Sequence, residues 1–187
     1  MFSSITYLKI VAGLAEALGK FDLVSRCWVK IATIKKTSKC LTTAGMFLSM
    51  TGRHTEAEIY FREALEVNPY FSPALFNFGY LRQKMGCHEE AIDLFSSAIL
   101  SNPNLDRAYY GRGLSFTKLF EYEKACENFR KTIKLQPFCP HGYYQLCFVL
   151  KELNQNSEII KTIQTLHKFE PQVAFQLVNE LNIQAGI

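Results

Sequence analysis

The chain has 187 residues, 48% of them apolar, which excludes a disordered tail and suffices for one domain or a small repeat array with a real core. Its formal net charge of +4 is too small an excess to mark a nucleic-acid binder by itself. Six cysteines stand at 27, 40, 87, 126, 139 and 147 with no Cys-x-x-Cys spacing, so they read as thiols in a reducing compartment and not as a disulfide framework.

In chain order, helices are predicted over 5–18 and 21–35. Gly19 is the turn between them, and Val24, Trp28 and Ile31 are the inward residues of the second. Lys9 and Glu16 interrupt the first apolar stretch, which is too short for a membrane span and lacks a convincing secretory cleavage site. No membrane span is expected anywhere, and a cytoplasmic protein is the expectation.

From residue 38 a strict period appears. Pro69, Pro103, Pro137 and Pro171 fall 34 residues apart, three times in succession. Phe61, Phe95 and Phe129 precede them in phase, each flanked on the same helical face by small residues: Ala57, Ala91 and Ala125 before, Ala64, Ala98 and Thr132 after. Gly45, Gly79 and Gly113 recur inside the preceding helix. A glycine there costs about 1 kcal/mol relative to alanine, so three in phase predict a tight helix crossing. Gly52 and Gly86 suit a left-handed turn. The pattern predicts helices over 38–51 and 54–67, 72–85 and 88–101, 106–119 and 122–135. Ser72 and Asp106 are expected as N-caps, and Asn68-Pro69 and Asn102-Pro103 as stops.

A degenerate pair follows over 140–153 and 156–168. Cys147 takes the glycine column, Ile163 the phenylalanine column and Asn154 the turn. A last amphipathic helix over 173–183 is expected to cap the open end of the core. It is apolar enough to suggest homo-oligomer formation through it.

Spacing and residue types resemble the tetratricopeptide repeat family over nearly the whole chain. The resemblance implies an all-α, right-handed superhelical solenoid of antiparallel helix pairs. About five repeats are expected, near 5–37, 38–71, 72–105, 106–139 and 140–173, plus a capping helix near 173–184, in one domain. It further implies a non-enzymatic protein-interaction scaffold or adaptor whose concave groove, lined by the first helix of each pair, holds a peptide or helix of a partner protein.

Helical phase then assigns the groove. The predicted lining is Lys39, Phe76, Asn77, Tyr80, Lys84, Arg107, Tyr110, Lys118, Tyr144, Phe148 and Lys151, joined by Thr42, Thr43, Met46, Ser49 and Met50 in the second pair, Gln83 in the third, Leu114 and Thr117 in the fourth, and His141, Gln145 and Glu152 in the fifth. Aromatic anchors among cations suit an acidic partner with apolar side chains. One subfamily grips the C-terminal carboxylate of heat-shock chaperones with a fixed Lys, Asn and Arg set. Asn77 and Arg107 resemble two of its members, but Thr42, Met46 and Gly111 occupy other slots and cannot substitute, so the full clamp is not expected. The alternatives are single-stranded RNA stacked on the same basic groove, which the small charge excess ranks lower, and a self-associating scaffold. No phosphate loop, nucleophile elbow or zinc-protease motif occurs, and the scattered histidines lack metal-ligand spacing, so no cofactor, metal or catalytic residue is expected.

Overall fold

The computed structural model describes residues 4–187, which form eleven α-helices and no strand. They are α1 (Ser4–Ala17), α2 (Phe21–Ile34), α3 (Ser38–Met50), α4 (His54–Val67), α5 (Ser72–Lys84), α6 (His88–Ser101), α7 (Asp106–Lys118), α8 (Tyr122–Leu135), α9 (Pro140–Glu152), α10 (Asn156–His167) and α11 (Pro171–Leu181). Consecutive helices pack as antiparallel pairs, and the pairs stack into a solenoid. The odd-numbered helices from α3 to α11 each lie against the next odd one, whereas the backbones of the even-numbered helices stand further apart. The odd helices therefore line the inner, concave side.

The periodic residues build the layers between helices. Phe61, Phe95 and Phe129 are fully buried, as are the alanines around them. A Cβ placed on Gly45 would stand 2.8 Å from Phe61 Cε1, and one on Gly113 would stand 2.8 Å from Phe129 Cε1. The missing side chains thus let each ring lie directly on the neighbouring helix backbone. In the fifth pair Cys147 and Ile163 share one buried cluster, a larger residue facing a smaller one. Burial pushes the Cys147 thiol up to about 12 and the Cys126 thiol up to about 11.

The turns show why the helices stop. Asn68 and Asn102 leave the helix in extended backbone, and their Oδ1 atoms accept from the N–H groups of Tyr70 and Asn104. The predicted caps at Ser72 and Asp106 are corrected by one position. Phe71 and Leu105 are the N-caps, without a side-chain bond, because this Asn-centred turn already sets the entry to the helix. Thr37 is the side-chain cap, accepting from the Cys40 N–H at 3.4 Å. Pro171 also differs from the three prolines before it. It does not close a turn but opens α11, where a missing N–H costs nothing.

The last helix turns its apolar face into the chain. Ala174, Leu177 and Leu181 are buried in the cluster that holds Leu146, Leu150, Ile163 and Leu166. The apolar surface that suggested self-association through this helix is therefore largely covered by α9 and α10.

Candidate functional site

The concave face is built by α3, α5, α7 and α9. Between α3 and α5 a cavity of about 220 Å3 is lined by Met46, Ser49, Met50, Phe61, Phe76, Asn77 and Tyr80. Met50 and Tyr80 stand half-exposed at its mouth, and Phe76 leans on Phe95 with ring centroids 5.9 Å apart. Asn77 turns its amide to the Pro73 carbonyl of its own helix, at 2.7 Å. Further along, a cavity of about 420 Å3 between α7 and α9 is lined by Thr117, Tyr122, Tyr144, Gln145, Phe148, Val149 and Glu152. Beside it, Arg107, Tyr110, Gln136, Cys139 and His141 line a third cavity, of about 450 Å3.

The predicted residues fall into three groups. Met46, Phe76, Asn77 and Tyr80 share the first cavity, and Tyr144 and Phe148 share the second. Tyr110 is half-buried, edge-on to Phe129 at 5.8 Å, and burial raises its phenol above the usual range. Others already hold partners within the chain. The Tyr144 hydroxyl donates to Glu180 Oε2 at 2.6 Å, which raises the phenol and holds the Glu180 carboxyl below the usual range. Lys151 Nζ donates to the Leu181 carbonyl at 3.0 Å, so the α11 end of the groove is closed by the chain itself. Gln83 bridges to α7, donating to the Gly111 carbonyl and Ser115 Oγ, both at 2.7 Å. Thr42, expected in the groove, is buried instead, and its hydroxyl donates to the Ser38 carbonyl at 2.6 Å, whereas Ser49, also mostly buried, still lines the first cavity. A small hydroxyl that bonds back to its own helix needs no solvent. Tyr122 belongs to the second cavity yet sits on α8, so a reading confined to the first helix of each pair missed it.

Several arginines on the second helices and at their turns are paired: Arg53 with Glu56 at 2.6 Å, Arg62 with Glu58 at 2.7 Å, and Arg130 with Glu158 at 2.8 Å. Arg82 crosses between pairs to the same Glu58 carboxylate at 2.7 Å. Lys39, Lys84, Arg107 and Lys118, all exposed on helices that line the concave side, make no ion pair among the described residues, and neither do Lys30, Lys131, Lys134 and Lys161 on the second helices. Among the described residues, no group of three or more His, Cys, Asp or Glu side chains converges to hold a metal. No helix among the described residues is long and apolar enough to cross a membrane.

Comparison with known proteins agrees with this architecture. Two family models, both described as tetratricopeptide repeat, match residues 60–93 and residues 38–71 and 106–139. Among solved structures, MamA from Desulfovibrio magneticus RS-1 superposes with a TM-score of 0.80 at 19% identity, covering 91% of this chain and 97% of that one. PilF of Pseudomonas aeruginosa gives 0.80 at 16% identity over 94% and 81% of the two chains. YrrB, titled a TPR protein with an unusual peptide-binding site, gives 0.72 at 14% identity over 91% and 88%. No curated protein matches the sequence. The stacked antiparallel helix pairs, with glycine and phenylalanine meeting at 34-residue intervals in the second to fourth pairs, agree with the models matched within residues 38–93 and 106–139: the chain carries tetratricopeptide repeats.

Proposed function

We propose that this protein is a non-enzymatic scaffold whose concave face captures an acidic segment of a partner protein through apolar side chains. The observation that carries this reading is the cavity between α3 and α5, with Met50 and Tyr80 half-exposed at its mouth, on a face whose helices also expose Lys39, Lys84, Arg107 and Lys118. Exposed cations on the helices that carry the apolar cavities attract a carboxylate-bearing segment and help set its register. The half-exposed Met50 and Tyr80 and the cavity behind them offer an anchor site for an apolar side chain. The peptide-binding site named for YrrB, a protein of the same fold, is in keeping with this use of the surface.

A randomised peptide library selected on the full chain tests the reading. Enriched peptides should carry Asp or Glu beside an aliphatic or aromatic residue. Tyr80→Ala should weaken them by about 2 kcal/mol, as for a buried anchor. Lys84→Glu with Lys118→Glu should abolish them and flatten the salt dependence, with circular dichroism unchanged. Selected peptides that bind both variants as well as the parent would dismiss the groove.

A further inference from the structure

The N-terminal end of the solenoid is built differently from the C-terminal end. Helix α1 packs along α2, but its backbone, unlike those of α3, α5, α7 and α9, does not approach the next odd one. Ala12 and Ala15 bury its inner face. On its outer side Tyr7 is 64% exposed, Ile10 48%, Leu14 63% and Leu18 70%. At 3.6 residues per turn these four fall on one stripe about 80° wide. The stripe corresponds to a stacking surface. One repeat on, at a spacing of 33 residues, Tyr7 and Leu14 become Cys40 and Phe47, which are buried against the preceding pair.

Two further features say what kind of object covers the stripe. Tyr7, Ile10, Leu14 and Ala17 follow the alternating 3- and 4-residue spacing of a two-helix seam. Gly13 lies mid-helix at the edge of this face, and a Cβ there would meet nothing within 4 Å. A glycine weakens a helix, and no neighbour inside the chain uses the room it leaves, in contrast to Gly45, Gly79 and Gly113. The occupant indicated is another helix at close approach.

We infer that α1 pairs antiparallel with α1 of a second copy, making the protein a two-fold dimer joined at its N-terminal ends. A two-fold axis crossing near residue 12 sets Ile10 against Leu14 of the second copy and Tyr7 against its Ala17, bulky against small. Lys9 and Glu16, the charges of α1, lie on the side away from the stripe, so two copies meet without like-charge repulsion. Head-to-tail stacking meets a more polar surface, because α11 buries Ala174, Leu177 and Leu181 and exposes Gln172, Gln176, Asn179 and Glu180 around a single exposed ring, Phe175.

Sedimentation velocity of the full chain across a concentration series tests the pairing. The parent sediments as a dimer. Leu14→Lys and Ile10→Glu, each alone, raise the dissociation constant about a hundredfold or more, because each places a charge in an apolar seam. Mixing the two variants restores a dimer, since the introduced glutamate of one chain then faces the introduced lysine of the other, while the second Ile–Leu contact is native. Parent protein that stays monomeric at submillimolar concentration overturns the inference. So does failure of the mixed variants to associate while each remains folded by circular dichroism. Recruitment of monomeric parent to phosphatidylserine vesicles through the same residues overturns it as well, assigning the stripe to a lipid surface.

Discussion

Phe95 lies between two helices that both lack a side chain where the ring sits. A Cβ on Gly79 would stand 3.0 Å from the ring and one on Gly111 only 2.6 Å. Gly79 belongs to the periodic column, so its role was legible in the sequence. Gly111 occurs once, at a position held by Thr43, Asn77 and Gln145 in the other copies, and a repeat alignment carries no signal for it. Gly111→Ala sets two effects against each other. The helix gains about 1 kcal/mol in propensity. Forcing a methyl group into a fully buried ring costs about 1–3 kcal/mol. The clash is expected to win, because Phe95 has no exposed direction in which to move. Net destabilisation of up to about 2 kcal/mol should appear in urea unfolding as a lower midpoint at unchanged slope. Gly13→Ala is the matched contrast. Its Cβ meets nothing, so the propensity gain of about 0.5–1 kcal/mol remains and the midpoint rises.

At the scale of elements, the turn inside each pair is one column read five times: Gly19, Gly52, Gly86, Phe120 and Asn154, all with positive φ. The sequence announces four of these by residue type. Phe120 is legible only through its phase, and it adopts φ 60° with its ring 75% exposed. A left-handed conformation costs a residue with a Cβ about 1–2 kcal/mol, and asparagine much of that less. Phe120→Asn, copying Asn154, is therefore expected to stabilise the chain by about 0.5–1 kcal/mol. The gain is moderated by loss of the edge contact to Tyr122, whose ring centroid lies 6.2 Å away. Thermal melting should rise by about 2–4 °C for 1 kcal/mol in a chain of this length. An unchanged or lower melting temperature would mean that the Phe120–Tyr122 contact outweighs the backbone strain. The helix entries were less legible than the turns. Ser72 and Asp106 have capping chemistry, but the Asn68 and Asn102 side chains set the preceding turns, so the N-caps fall one residue earlier, on Phe71 and Leu105, which cap with no side chain.

The whole molecule is a stack with unlike ends, and this was the least legible level. Periodicity assigns residues to faces of a helix. It does not say which faces a neighbour further along the chain will cover. Tyr144 and Lys151 therefore read as free groove residues, yet α11 takes both. The apolar residues of α11 likewise read as available for association, yet Ala174, Leu177 and Leu181 close the core. In a solenoid each pair is supported by its neighbours, so the terminal pair depends on its cap. Removing residues 173–187 uncovers Leu146, Leu150, Ile163 and Leu166, which share one buried cluster with Ala174, Leu177 and Leu181. It also removes the bond from Gln164 to the Ala185 carbonyl, at 3.0 Å. Re-exposing a buried leucine or isoleucine costs about 1.5–3 kcal/mol each, so even partial exposure of four approaches the whole stability margin of a small domain, about 5–15 kcal/mol. The shortened chain should lose the helicity of α9 and α10, bind a hydrophobic dye and aggregate, while amides of α3 to α6 keep their protection in hydrogen exchange. Loss of α11 thus promotes association instead of abolishing it. A shortened chain with parental melting temperature and light scattering would show that α11 is dispensable to the core, and would reopen its apolar face as a surface for other molecules.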